Sequence, residues 1–176
     1  GKIGVESVEG EGATFHATVT FQIAQEHNFQ REDTDLAGLK VLVAHDDLGL
    51  LALLGNYLEY AAARTEVIEQ MSDIKDYALA AVKEDDPFDV IVLGSSWALE
   101  DQIALIEELA AGGKISSKYV VVCRQRSRKE RKPLVNTVYV NADPMQRGAL
   151  MRGVAIAAGR SSPEADYDDK DTANKP

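Results

Sequence analysis

The chain has 176 residues, of which 45% are hydrophobic and 27% charged, and its formal net charge is −10. This size and composition fit one ordinary globular domain with flanking segments, and the acidic charge argues against binding to DNA or to anionic membranes. No apolar run approaches the roughly 20 residues that span a bilayer, and the N-terminus lacks the apolar core of a signal peptide, so we expect a cytoplasmic protein.

Residues 1–21 alternate polar and apolar positions on both sides of the Gly-rich segment 9–12, which is the pattern of a β-hairpin. Ile3 and Val5 share one face of the first strand, and Phe15 belongs to an apolar face of the second. Two strands alone cannot bury such faces. We therefore expect the hairpin to be the edge of a larger sheet and the chain, which has no initiator Met, to be cut from a longer protein.

The small residues of this hairpin follow the spacing G-x-[IV]-x-[VA]-x-S-x-x-G-x-G-[ST]-x-F, and the matching positions are Gly1, Ser7, Gly10, Gly12, Thr14 and Phe15. Residues 1–21 thereby resemble the last hairpin of the histidine-kinase catalytic ATPase domain. The ATP-binding boxes and the phosphorylatable His of that family do not occur in the chain, so the kinase activity of the implied parent is not expected here. Residues 22–38 are polar and are predicted to be a linker.

Beyond the linker, short apolar runs rich in Val alternate with segments of helical periodicity. The runs are 39–44, 65–69, 88–93, 119–123 and 137–140, and the helical segments are 48–63, the residues after Ser72, 97–110 and 143–158. Strands that alternate with helices predict one parallel sheet with helices on both faces, so we predict a doubly wound five-stranded α/β domain over residues 39–160. In the last helix, Asp143 is predicted as the N-cap and Pro144 as the first residue.

Several features of this stretch belong to one known pattern: the opening strand Lys40–Val43 with Asp46 behind it, the strand 88–93, and Pro144. Together with the order of the elements, they resemble the response-regulator receiver domain, which implies a flavodoxin-like topology for residues 39–160. A working receiver has two acids after the first strand to hold Mg²⁺ and an Asp after the third to accept the phosphoryl group. It also has a hydroxyl after the fourth strand and, after the fifth, a Lys that neutralises phosphoryl charge.

Most of these positions carry residues of the wrong chemistry: His45 and Asp46 for the acid pair, Gly94 for the phosphoacceptor, Cys123 or Arg124 for the hydroxyl, and Asp143 for the Lys. Of the receiver's functional residues, only Asp46 is retained. If the alignment with the receiver pattern shifts by one residue, Asp46 and Asp47 would form the acid pair. Gly94 has no side chain to phosphorylate, and Ser95 and Ser96 lack a carboxylate. We therefore predict a degenerate pseudo-receiver of a hybrid histidine kinase, without catalytic residues or a metal site. His45 is expected to be a structural or surface histidine.

A basic stretch, residues 124–132, holds six of the chain's 19 Lys and Arg residues. It lies where a receiver has its fourth helix, but it offers no apolar stripe to cover the sheet, so that helix is predicted to be short or missing. Val138 and Val140 would then face one side of the sheet, and Tyr139 the other, less covered side. Guanidinium groups beside an aromatic ring suit a planar anionic ligand, because Arg pairs with phosphate and guanine and bases stack on aromatic rings.

This arrangement is similar to the cyclic di-GMP site of pseudo-receivers in certain bacterial hybrid kinases, which implies binding residues Arg124, Arg126, Arg128, Tyr139, Asn141, Pro144, Gln146 and Arg147. The resemblance also implies that cyclic di-GMP releases an autoinhibited kinase. The protein partners would be other domains of the same kinase: the ATPase domain, the dimerisation domain and a downstream true receiver.

Residues 161–176 show no apolar periodicity and carry mostly acidic charge, with Glu164, Asp166, Asp168, Asp169 and Asp171 against Lys170 and Lys175. Such a composition predicts a flexible acidic linker. Its charge also makes it a candidate electrostatic partner for the basic stretch.

Other functions remain open on the sequence. The basic stretch could be a solvated loop or a docking patch for acidic protein, and the domain a ligand-free module that holds kinase domains together. A working phosphoacceptor would require phosphorylation at Asp46 or Asp47, where the family pattern does not place it.

Overall fold

The computed structural model describes residues 1–10, 12–20, 36–123 and 134–162. The chain separates into two units, Gly1–Arg31 and Glu32–Pro176. Within the described ranges, no helix is both long enough and apolar enough to cross a bilayer.

The first unit is the predicted hairpin, in which β1 (Lys2–Val8) pairs antiparallel with β2 (Gly12–Thr18). The turn between them contains Gly10 at a φ of 83°, a backbone conformation that glycine adopts without steric cost. Val5 stands opposite Phe15 across the strands, and their side chains share a face with those of the alternate pairs Ile3–Ala17 and Ser7–Ala13. Phe15 is 76% exposed, and the apolar face expected from the alternation is therefore open to solvent.

The second unit contains a parallel sheet flanked by helices. Its strands are β3 (Lys40–Ala44), β4 (Arg64–Ile68), β5 (Val90–Leu93), β6 (Lys118–Cys123) and β7 (Thr137–Asn141). Its helices are α1 (Leu48–Tyr60), α2 (Ile74–Lys83), α3 (Leu99–Ala111) and α4 (Arg147–Ala157), and a 3-10 turn covers Met71–Asp73. The strand order is β4-β3-β5-β6-β7, and every adjacent pair is parallel. The doubly wound five-stranded sheet with flavodoxin-like order is thus confirmed.

Two apolar layers hold this sheet between its helices. One layer, on the α1 and α4 side, includes Val41, Val92 and Leu150. The other, on the α2 and α3 side, includes Ile91 and Ile106. Because both faces of the central strands are covered, all residues of β3 and β5 are buried, which explains why these strands are continuous apolar runs in the sequence.

The predicted start of the last helix is wrong. Helix α4 begins at Arg147 with Gln146 as its N-cap, so neither Asp143 nor Pro144 belongs to the helix or its cap. The reason is local: the Asn141 carboxamide oxygen accepts the Asp143 N–H at 3.1 Å, and an isolated antiparallel bridge joins Ala142 to Met145. This turn reverses the chain before the helix can start.

The predicted short or missing fourth helix falls on residues 124–133, which lie outside the described ranges. Residues 22–35 of the predicted linker 22–38 and residues 163–176 of the predicted acidic segment 161–176 also lie outside them. The described end of the interval between β6 and β7, residues 134–136, contains no helix.

Candidate functional site

The candidate site lies at the carboxyl ends of β3 and β5, the edge of an open α/β sheet at which ligands and chemistry usually gather. Ala44 and Leu93 are register partners in these two strands, so the next residues, His45 and Gly94, stand side by side. The Gly94 N–H donates to the Ala44 carbonyl oxygen at 2.8 Å, which continues the ladder by one step.

The imidazole of His45 fills the space beside Gly94. His45 is 2% exposed, so it is a structural histidine and not a surface one. A Cβ built on Gly94 would stand 2.6 Å from His45 Cγ and 2.9 Å from the Ala44 carbonyl oxygen, closer than real side chains approach. The space into which a side chain at position 94 would extend is therefore occupied by the ring of His45, the residue that follows β3.

The hydrogen bonds of His45 tie the ring to the start of α1. The Asp47 N–H donates to His45 Nδ1 at 2.8 Å, which assigns this nitrogen as an acceptor and places the proton of the neutral ring on Nε2. Asp46 Oδ1 is also 3.3 Å from Nδ1, but that contact becomes an ion pair only if the ring is protonated. The Asp47 carboxylate accepts the Leu50 N–H at 3.0 Å and caps α1.

Gln102 was not predicted from the sequence, yet it holds the loop between β5 and α3. Its Nε2 donates to the carbonyl oxygens of Gly94 at 3.2 Å and Trp97 at 2.9 Å, and its side chain is buried. The ring centroid of Trp97 lies 6.4 Å from that of His45. A sequence signal for Gln102 did exist: it is a polar residue in the apolar stripe of α3 that contains Ile106.

The residues present do not fit the magnesium site of a receiver. Gly94 supplies no carboxylate, and the Asp47 carboxylate is directed at the N-terminus of α1. Asp143, which the resemblance to receivers aligns with the Lys, lies in the turn after β7 and is exposed. Within the described ranges, no group of three or more His, Cys, Asp or Glu side chains is arranged to bind a metal ion.

The predicted ligand residues are only partly covered by the structure. Arg124, Arg126 and Arg128 lie outside the described ranges. Tyr139 is partly buried and packs on the α2 and α3 side, whereas Val138 and Val140 pack on the other side, so the predicted alternation along β7 is confirmed. The remaining predicted residues are exposed in the turn after β7 and at the start of α4: Asn141, Pro144, Gln146 and Arg147.

Arg147 has a neighbour that the sequence did not indicate. Its guanidinium carbon lies 5.0 Å from the ring centroid of Tyr60, the last residue of α1. Because α1 and α4 pack on the same face of the sheet, this contact lies on the face opposite to the one on which Tyr139 packs. No local sequence pattern predicts the contact between Arg147 and Tyr60, because it depends on the packing of two helices that are far apart in the chain.

Comparison with known proteins gives structural but not sequence matches. No protein-family profile and no curated protein sequence matches the chain. The receiver domain of a Francisella response regulator superposes with a TM-score of 0.53 at 22% identity, covering 69% of this chain and 98% of that domain. The Vibrio cholerae chemotaxis protein CheY4 gives 0.56 at 14% identity over 68% and 98% of the two chains. A Polaromonas sensor protein gives 0.54 at 19% over 69% and 97%. The second unit thus has the flavodoxin-like receiver fold.

Proposed function

We propose that residues 39–160 form a non-catalytic regulatory pseudo-receiver of a hybrid histidine kinase in two-component signalling. The observation that carries this proposal is the buried imidazole of His45, which fills the space into which a side chain at Gly94 would extend. The resemblance to receivers assigns the phosphoacceptor to this position. A glycine covered by an imidazole cannot form an acyl phosphate. The regulatory signal of such a domain therefore enters by binding and not by phosphoryl transfer.

Phosphorylation assays test this part of the proposal. The chain is incubated with Mg²⁺ and a phosphorylated histidine kinase, beside a receiver that retains its Asp as the positive control. We expect label on the control receiver and none on this chain. Hydroxylamine-sensitive label that maps to Asp46 or Asp47 would contradict the proposal, because it would show an acceptor one strand away from Gly94.

For the bound signal we propose cyclic di-GMP. An acidic chain that gathers six Lys and Arg residues within 124–132 has a local potential that attracts anions. Tyr139 follows this basic stretch on the edge of the sheet, and Arg147 exposes its guanidinium at the start of α4. Guanidinium groups pair in bidentate fashion with phosphate and with the guanine O6 and N7 atoms, and both features occur in this ligand.

The position of β7 supports a site that uses both sides of the sheet. β7 is the last strand in the sheet order, so within the described ranges no further strand pairs with its outer edge. The proposed ligand lies against this edge beside Tyr139 and extends to the start of α4, where Arg147 is exposed. Kinase domains docked on the same surface would then be displaced by the ligand, which accounts for the proposed release from autoinhibition.

Calorimetric titration of the full chain with cyclic di-GMP tests this second part. We expect binding heat, together with amide chemical-shift changes at Tyr139, Asn141 and Arg147. Cyclic di-AMP has the same phosphodiester ring but no guanine, and it should bind more weakly because the bidentate contact to guanine is lost. The absence of both heat and shift changes with cyclic di-GMP would exclude it as the ligand.

The second candidate function is a ligand-free docking module within the kinase. It is favoured by Val135, which follows the basic stretch and is 83% exposed, since an apolar side chain beside basic residues suits a protein partner. Reversing the charges of Arg126 and Arg128 to Glu would then change the activity of the full-length kinase, although the wild-type chain binds no nucleotide. Nucleotide binding by the wild-type chain that the same reversal abolishes would instead favour the ligand sensor.

A further inference from the structure

Arg147 differs from the other arginines in the described ranges. Arg64 forms a bidentate ion pair with Asp86, at 2.9 and 3.0 Å. Arg160 donates to the Ala37 carbonyl oxygen at 2.8 Å, and Arg152 also has an interaction partner. Arg147, by contrast, has neither a hydrogen bond nor a carboxylate partner within the described ranges.

Arg147 instead contacts the face of the Tyr60 ring. Its guanidinium carbon lies 5.0 Å from the Tyr60 ring centroid, within the range of a cation–π contact. Such a contact holds the guanidinium by its planar face and leaves its N–H donors directed outward at the edge. Tyr60 is 64% exposed, so the platform itself is open to solvent. In a chain with 29 acidic residues, a guanidinium held in place without an acidic partner is poised for an external anion.

We infer that Tyr60 is a positioning residue of the ligand site, and that it fixes the Arg147 guanidinium for a phosphodiester or guanine edge. This inference rests on the proposed cyclic di-GMP function and extends its site to α1. The ring already restricts the rotamers of the Arg147 side chain in the unbound protein. Less conformational entropy is therefore lost when the ligand binds. Tyr60 then acts through Arg147 and need not touch the ligand.

Calorimetry of single and double variants of the full chain tests the inference. Arg147→Ala should weaken cyclic di-GMP binding about tenfold, because a charge-assisted contact is lost. Tyr60→Ala should weaken it about two- to fivefold, the worth of an exposed cation–π contact, whereas Tyr60→Phe keeps the ring and should bind like the wild type. The double variant Tyr60→Ala/Arg147→Ala should bind no more weakly than Arg147→Ala alone. Tyr77→Ala in α2, where Tyr77 is 45% exposed, is the matched control and should not change affinity.

Each other outcome has a definite meaning. If the wild type does not bind cyclic di-GMP, the proposed function fails and the inference falls with it. If the wild type binds but Tyr60→Ala binds equally well, or the two losses add in the double variant, only the role of Tyr60 is overturned. A loss in Tyr60→Phe equal to that in Tyr60→Ala would also overturn it, because the hydroxyl and not the ring would then matter.

Discussion

The imidazole of His45 occupies the volume into which a side chain at position 94 would extend. The strand register makes these two residues neighbours, since each directly follows one member of the pair Ala44 and Leu93. The backbone of Gly94 is outside the left-handed region, so its φ does not require glycine. Position 94 and the buried histidine are therefore sterically coupled, and a side chain at position 94 requires the His45 ring to move.

This coupling predicts the cost of adding a methyl group at Gly94. Gly94→Ala should destabilise the second unit by about 1–3 kcal/mol, because the new Cβ collides with His45 and the surrounding core is closely packed. In a His45→Ala background the ring is gone, and the same change should cost clearly less. Urea titrations of the wild type, the two single variants and the double variant give four free energies of unfolding. The coupling energy between positions 45 and 94 follows from them.

Gly112→Ala is the control for this cycle. Gly112 follows the end of α3, and the nearest atom to its built Cβ is the Leu109 carbonyl oxygen at 3.6 Å, an ordinary contact. Gly112→Ala should lower the free energy of unfolding by no more than about 0.5 kcal/mol, both in the wild type and in His45→Ala. If Gly94→Ala costs the same with and without the His45 ring, the steric relationship is not what restricts position 94.

A second prediction concerns Gln102, whose carboxamide donates to two carbonyl oxygens in the loop before α3. Gln102→Met keeps the size of the side chain but removes both donors, so buried acceptors lose their partners. We expect a loss of about 1–3 kcal/mol in the free energy of unfolding. Gln70→Met, at an exposed glutamine before the 3-10 turn, should change it by about 0.5 kcal/mol or less. Equal effects of the two substitutions would show that the Gln102 hydrogen bonds add no stability.

The fold could be predicted from the sequence because the signals for its strands and helices are local and repeated along the chain. Val-rich runs such as Val90–Leu93 alternate with helical stripes, and that alternation alone predicts a doubly wound sheet. The alternation of Tyr139 with Val138 and Val140 likewise placed each side chain on its side of β7. Binary patterns of this kind are independent of how distant elements pack.

The remainder of the site depends on contacts that no local pattern encodes. Asp143 and Pro144 form a standard helix start, but a side-chain hydrogen bond from Asn141 makes a turn of the same residues. The cation–π contact between Arg147 and Tyr60 requires α1 and α4 to be neighbours. The burial of the His45 ring beside Gly94 was likewise not predicted, because it depends on the register between β3 and β5.

At the opposite, amino end of the strands, an ion-pair cluster supports the sheet. Lys40 Nζ lies 3.1 Å from a Glu66 carboxylate oxygen and 3.2 Å from one of Asp86, and it also sits over the Phe88 ring. Burial alone would lower the pKa of Lys40, but hydrogen bonds and charges from Glu66 and Asp86 outweigh that effect and raise it. The hydrogen bonds from Arg64 and Lys40 hold the pKa of Asp86 below its usual value.

The lowered pKa of Asp86 predicts how stability depends on pH. The folded state binds the Asp86 proton less readily than the unfolded state, so this group stabilises the fold at pH values above its unfolded pKa of 3.8. That contribution should disappear as the pH falls below this value, and it should be absent at all pH values in Asp86→Asn. Urea titrations from pH 7 down to about pH 3 measure the difference between variant and wild type, which should shrink towards the acid end. Glu69→Gln, at an exposed glutamate without an ion pair in the described ranges, is the control and should change the free energy of unfolding by about 0.5 kcal/mol or less. A constant gap between Asp86→Asn and the wild type would mean that Asp86 acts through packing and not through its charge.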